Sequence, residues 1–121
     1  MNTVLLLAAV LTFLLAAVHS ILGERLIFRH LVSENRWTEG AIGLLSARRW
    51  AALRSSWHLV SILGGGLGLV LLVLATVLPI NESKVVGATF LISALYWIVG
   101  TRGKHPGWIV MLIIAVLAFL A

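Results

Sequence analysis

The chain has 121 residues, of which 61% are hydrophobic and only 11% are charged, and its mean hydropathy is +1.11. Soluble domains average roughly 25% charged residues, so a water-soluble domain of this length could not bury so much apolar side chain. The absence of cysteine excludes disulfides, thiolate chemistry and cysteine-ligated metal sites. The net charge of +5 does not indicate nucleic-acid binding, because the basic residues lie between apolar runs, where membrane orientation accounts for them.

The first apolar run covers residues 3–22 and carries few polar residues. About 20 helical residues at 1.5 Å rise cover a hydrocarbon core of about 30 Å. The residues before this run are not basic, and the run is longer than the apolar part of a signal peptide. The pattern therefore predicts a retained membrane span.

Three further apolar runs follow, at about 57–78, 85–100 and 106–121. Residues 81–84 are polar and predict a tight turn between the second and third spans. Pro106 occupies a favoured first position for the fourth helix. Spans joined by such short turns are expected to be antiparallel neighbours.

The long connection at 23–56 carries apolar residues at helical spacing among arginines, so the first two helices are expected to extend past the bilayer on the cytoplasmic side. A break is expected at 33–40, where turn-forming residues cluster. The predicted fold class is an all-α membrane protein. Residues 1–121 would form one transmembrane domain, an antiparallel bundle of four transmembrane helices.

Positive charge predicts the orientation of these spans. By the positive-inside rule the basic side is cytoplasmic, so both termini are expected on the periplasmic or extracellular side. The same face is expected to attract anionic membrane lipids, at about 1 kcal/mol per basic residue near the surface. Of the nine basic residues, Lys84 lies on the other side, and the remaining eight are Arg25, Arg29, Arg36, Arg48, Arg49, Arg54, Arg102 and Lys104.

Chemically interesting side chains cluster at this basic face. An ionisable group such as His19, about one turn inside a membrane, is costly and is a functional candidate by default. The alternative is that the histidines only hydrogen-bond neighbouring helices. The candidate catalytic residues are His19, His58 and Glu24, and the candidate ligand-binding residues are Arg54, His58, Tyr96, Arg102, Lys104 and His105.

Gly64 and Gly68 in the second span form the GxxxG pattern that lets membrane helices approach closely. Such glycines usually serve helix packing. Their face also predicts a possible homodimer.

Three segments carry a resemblance to a known group: HSILGERLIFR at 19–29, SWH at 56–58 and GKHPGW at 103–108. In these segments the chain resembles small bacterial four-span membrane proteins that have no assigned activity. The resemblance implies a location in the bacterial inner membrane and no particular mechanism. Small multidrug exporters fit less well, because they carry a carboxylate in the first span and residues 3–22 contain none.

The residues leave several functions open. The first is a binding or accessory protein that holds an anionic lipid or small ligand at the polar mouth of the bundle. The second is a redox protein in which His19 and His58 ligate a haem b from both sides. The third is a membrane enzyme with His19 or His58 as general base and Glu24 as its partner. A transporter is also open, although the middle of each span lacks charge.

Overall fold

The protein is described by a computed structural model over residues 1–29 and 47–121. Within these residues the chain is all-helical, which confirms the predicted α class. The break predicted at 33–40 lies outside the described residues. The described residues form four helices: α1 (Thr3–Leu22), which continues as a π-helical segment (Gly23–Phe28), α2 (Ala47–Ala75), α3 (Glu82–Thr101) and α4 (Gly107–Leu120).

Three of these helices are long and apolar enough to cross a membrane: Thr3–Phe28, Arg49–Ala75 and Glu82–Thr101, with 26, 27 and 20 residues. Helix α4 is apolar but has 14 residues. Large apolar side chains such as Leu67 are exposed along the helices. Exposed apolar surface of this extent is suited to lipid rather than to water.

Asparagine side chains cap the N-termini of α1 and α3. The Asn2 carboxamide oxygen accepts hydrogen bonds from the backbone N–H of Val4 and Leu5, at 3.1 and 3.2 Å. The Asn81 carboxamide accepts from the Ser83 N–H at 2.8 Å, so α3 begins at Glu82. Residues 82–84, predicted as part of a turn, are therefore helical, because Asn81 satisfies an N–H group that the first turn leaves unpaired.

The helices pack in chain order, α1 on α2, α2 on α3 and α3 on α4. At one end the Asn2 N–H donates to the Ala75 carbonyl at 2.8 Å, which ties the start of α1 to the end of α2. At the other end Glu24 contacts Arg54, near the start of α2. Among the described residues, α2 and α3 are therefore the helices with extensive contacts on two sides.

Two glycines of α2 allow α1 to approach closely. A Cβ atom on Gly64 would lie 3.5 Å from the Ala16 Cβ, and one on Gly68 would lie 2.9 Å from the Phe13 ring. Gly64 and Gly68 thus face α1 of the same chain. These contacts lie within one protomer, and the homodimer predicted through this face stays a prediction.

Candidate functional site

A cluster of polar side chains, some partly buried and some exposed, joins α1 to α2 at the end where Glu24 lies. Glu24 belongs to the π-helical segment, a rare distortion that is often found at functional sites. Arg54 Nε donates to Glu24 Oε2 at 3.1 Å, and Arg54 Nη2 donates to Glu24 Oε1. Two parallel bonds of this kind are the favoured geometry of an arginine–carboxylate pair. The contact fixes the carboxylate against α2.

The Glu24 carboxylate also holds His58. His58 Nε2 lies 3.1 Å from Glu24 Oε2, and His58 Nδ1 lies 2.9 Å from Ser20 Oγ. Ser20 Oγ is in turn 2.9 Å from Ser61 Oγ. A carboxylate only accepts hydrogen bonds, so His58 Nε2 carries a proton. In neutral His58 the other nitrogen, Nδ1, is then an acceptor, and it faces the Ser20 hydroxyl.

Two cavities meet at this cluster, and residues of α1, α2 and α3 line both. The first has a volume of about 590 Å³ and a mixed wall, in which the polar Glu24, Arg54 and Ser55 lie beside Trp50 and Ala51. The second has a volume of about 410 Å³ and an apolar wall that includes Ala16, Ala17 and Ile62, with the polar Ser20 and Ser61. The side chains common to both cavities are His58 and Tyr96.

The two cavities adjoin at His58 and Tyr96, which line both, and together they are called the groove. Its α2 lining runs from residue 50 to residue 62, a length of about 18 Å at 1.5 Å per residue. The Tyr96 ring contacts the His58 ring edge-to-face, with 6.5 Å between centroids, at the junction of the two cavities. The groove therefore has a more polar half, with Glu24 and Arg54, and an apolar half, and the two halves meet at His58.

His19 does not join the Glu24 cluster. Its ring stacks on Trp57, with centroids 4.5 Å apart and planes 7° apart, and the Trp57 indole N–H donates to the His19 carbonyl at 3.1 Å. The indole lies directly against Gly23, where a side chain would overlap it. His19 Nε2 is buried without a hydrogen-bond partner among the described residues. The two histidines predicted to share chemistry thus make different contacts.

The remaining predicted residues lie in the turn from α3 to α4. His105 Nδ1 accepts hydrogen bonds from the Trp97 indole N–H and from the Gly107 backbone N–H, both at 3.2 Å. Arg102 ends α3 in the left-handed conformation, with φ of 52°, and is exposed. Neither groove cavity is lined by Arg102, Lys104 or His105. The six predicted ligand-binding residues therefore divide into a groove set and a turn set.

The contacts of His19 and His58 argue against haem ligation by these two residues. Iron binds a histidine through a ring-nitrogen lone pair. Both ring nitrogens of His58 already contact protein groups, Ser20 and Glu24. Haem ligation by His19 and His58 would require His58 to give up one of these hydrogen bonds. It would also require His19 to leave Trp57 or to present its unpartnered nitrogen.

Ser20 and Ser61 complete the cluster, yet sequence reasoning did not select them as site residues. A spacing signal was present: Ser20 and Glu24 are four residues apart on α1, and His58 and Ser61 are three apart on α2. Such pairs share one helix face. Two such faces on antiparallel helices of a hairpin meet each other, and this would have placed the serines beside His58.

Chemically, the arrangement offers a hydroxyl, an imidazole and a carboxylate in series, at the boundary between the more polar cavity and the apolar one. It can hold an amphiphilic molecule and it can move a proton between Ser20 and His58. Comparison of the chain with protein-family models, with curated proteins and with solved structures gives no match.

Proposed function

We propose that this protein is an integral membrane protein that binds one lipid molecule in the groove between α1 and α3. The observation that carries the proposal is the change at His58 and Tyr96 from the more polar half of the groove, with Glu24 and Arg54, to the apolar half. A lipid has the same polarity profile, with a headgroup joined to acyl chains. The headgroup would lie beside Arg54 and Ser55, and a chain would lie along Ala17.

An anionic headgroup is favoured over a neutral one. Arg54 and Glu24 neutralise each other, so the pair offers hydrogen bonds more than net charge. The surrounding end of the molecule is strongly basic, with Arg25, Arg29 and the exposed Arg102. Each such residue near the surface favours anionic lipid by about 1 kcal/mol.

The membrane arrangement is part of the same proposal: four antiparallel spans in a bacterial inner membrane, with both termini on the periplasmic side. Helix α4 has 14 residues, about 21 Å, which is shorter than a hydrocarbon core of about 30 Å. The Lys84 ammonium donates to the Phe119 carbonyl, so α4 reaches the level of the first turn of α3. This contact supports α4 as a fourth span.

Native mass spectrometry of the delipidated full chain tests the proposal, with titration by phosphatidylglycerol or phosphatidylcholine. One phosphatidylglycerol is expected to bind with clear preference. Ala17→Trp fills the apolar half of the groove and is expected to weaken binding at least about tenfold, or about 1.4 kcal/mol. Val18→Trp is the matched control, because Val18 is exposed, is adjacent in sequence and does not line the groove. Equal binding by both variants would overturn the proposal.

A further inference from the structure

Ser20, His58 and Glu24 form a continuous hydrogen-bonded series across the interface of α1 and α2. From this geometry we propose that Ser20 is a nucleophile and that the protein cleaves an ester bond of a lipid. This proposal rests on the lipid-binding function for its substrate class. The series has the order of a serine–histidine–carboxylate triad, which is identified by geometry and roles rather than by sequence position.

The proton positions suit a nucleophile. Glu24 accepts from His58 Nε2–H, which leaves His58 Nδ1 as an acceptor 2.9 Å from the Ser20 hydroxyl. Ser20 Oγ donates to Ser61 Oγ at 2.9 Å, and rotation of the Ser20 hydroxyl about its Cβ–Oγ bond directs the same proton to His58 Nδ1, which is also 2.9 Å away. A nucleophile and base within about 2.6–3.2 Å, with the base oriented by a third group, are the arrangement that activates a serine.

The groove would place the ester bond of a bound lipid beside Ser20. In an ester lipid the carbonyl lies between the polar headgroup and the apolar chain. In the groove, His58 and Tyr96 lie between the more polar cavity and the apolar one, and Ser20 lines the apolar cavity next to His58. A lipid bound with its headgroup beside Arg54 therefore brings its ester carbonyl to the level of Ser20.

The reaction has two steps, acylation of Ser20 and hydrolysis of the acyl group. Ser20 Oγ bonds to the ester carbonyl carbon while its proton passes to His58 Nδ1, and Glu24 stabilises the resulting imidazolium. The carbon–oxygen bond to the alcohol breaks, and the alcohol oxygen takes that proton from His58, which leaves an acyl group on Ser20. Water then attacks the acyl carbon and gives a proton to His58. That proton returns to Ser20 as the fatty acid departs.

Ser61 has a defined part in this scheme. Once Ser20 Oγ has lost its proton and bonds to carbon, it no longer donates to Ser61 Oγ. Ser61 Oγ lies 2.9 Å from Ser20 Oγ, so its hydroxyl is placed to donate to the oxyanion that forms on the same carbon. Side-chain hydroxyls can fill this role of stabilising the oxyanion. Glu24 acts as a positioning residue through His58.

A covalent probe tests the nucleophile directly. The full chain in detergent is treated with an alkyl fluorophosphonate, which forms a stable adduct on activated serines, and the adduct is located by peptide mass spectrometry. One adduct on Ser20 is expected. It should be absent in Ser20→Ala and form roughly 100-fold more slowly in His58→Gln, the usual scale of general-base catalysis. Ser56→Ala is the control, because Ser56 is exposed and bonds the Ala52 carbonyl within α2.

The outcomes separate catalysis from binding. Helical circular dichroism of each variant establishes that it is folded. Bound phosphatidylglycerol with no Ser20 adduct, or with equal labelling rates in the wild type and folded His58→Gln, would overturn the nucleophile and leave lipid binding standing. A Ser20 adduct without lipid binding would support the nucleophile and overturn the lipid as its substrate. Release of fatty acid from a short-chain ester lipid, lost in Ser20→Ala, would support both.

Discussion

His58 Nε2 and Glu24 Oε2 lie 3.1 Å apart, although 34 positions separate the two residues along the chain. The side chains are only partly exposed, 18% for His58 and 27% for Glu24. A carboxylate in such surroundings needs partners, because its hydration is incomplete. Arg54 and His58 supply these partners from α2. Glu24, on the π-helical segment, therefore orients the His58 imidazole and holds α1 to α2.

Glu24→Gln is expected to destabilise the protein by about 1–2 kcal/mol. The value lies between that of an exposed ion pair, below about 1 kcal/mol, and that of a broken buried pair, about 3–5 kcal/mol. This range applies because the Glu24 side chain is 27% exposed and that of Arg54 is 49% exposed. The midpoint of thermal unfolding in detergent, followed by circular dichroism, should fall by several degrees.

Glu82→Gln is the matched control for Glu24→Gln. Glu82 is an exposed acidic residue in the first turn of α3, at the opposite end of the molecule. Its loss removes a favourable interaction with the helix dipole of about 0.3–1 kcal/mol. If Glu24→Gln proves no more destabilising than Glu82→Gln, then Glu24 does not hold α1 to α2.

Gly66→Ala is expected to destabilise the protein more than Gly65→Ala. A Cβ atom on Gly66 would overlap Thr89, whose branched side chain is fixed by a hydrogen bond from Oγ1 to the Val85 carbonyl. A Cβ on Gly65 meets nothing within 4 Å. In the helix interior alanine is favoured over glycine by about 1 kcal/mol, so Gly65→Ala should be neutral or stabilising.

The comparison of these two variants in thermal unfolding isolates the contact between α2 and α3. Both substitutions change the same residue type in the same helix by one methyl group. A larger loss for Gly65→Ala than for Gly66→Ala would contradict the packing of Thr89 against Gly66.

The sequence predicted the helical class well, because apolar runs of spanning length have few alternative structures. It also placed Arg54, His58 and Tyr96 at one face. It could not pair Glu24 with Arg54, because that contact depends on the rotation of α1, which the π-helical segment changes. Nor could it separate His19 from His58, since the stacking of His19 on Trp57 depends on how α1 and α2 pack at Gly23.

The detergent-purified protein, expressed with ample haem, is expected to show no Soret band in its oxidised and reduced spectra. The reason is that Ser20 and Glu24 occupy both ring nitrogens of His58. His19→Ala and His58→Ala serve as comparisons. A Soret band that disappears in both variants would mean that His58 exchanges a protein contact for iron, and it would make the redox hypothesis the better one.

Reporter fusions should place the basic end of the molecule in the cytoplasm. Arg25, Arg54 and Arg102 lie at the end where α1 meets the start of α2, whereas Lys84 lies at the opposite end, beside the Phe119 carbonyl. Positive residues are retained on the cytoplasmic side of the bacterial inner membrane. Alkaline phosphatase, which is active only in the periplasm, is therefore expected to be active when fused after Ala121 and inactive when fused after Gly103. The reverse pattern would invert the orientation and move the groove's polar half to the periplasmic face. Activity at neither site or at both would contradict α4 as a membrane span.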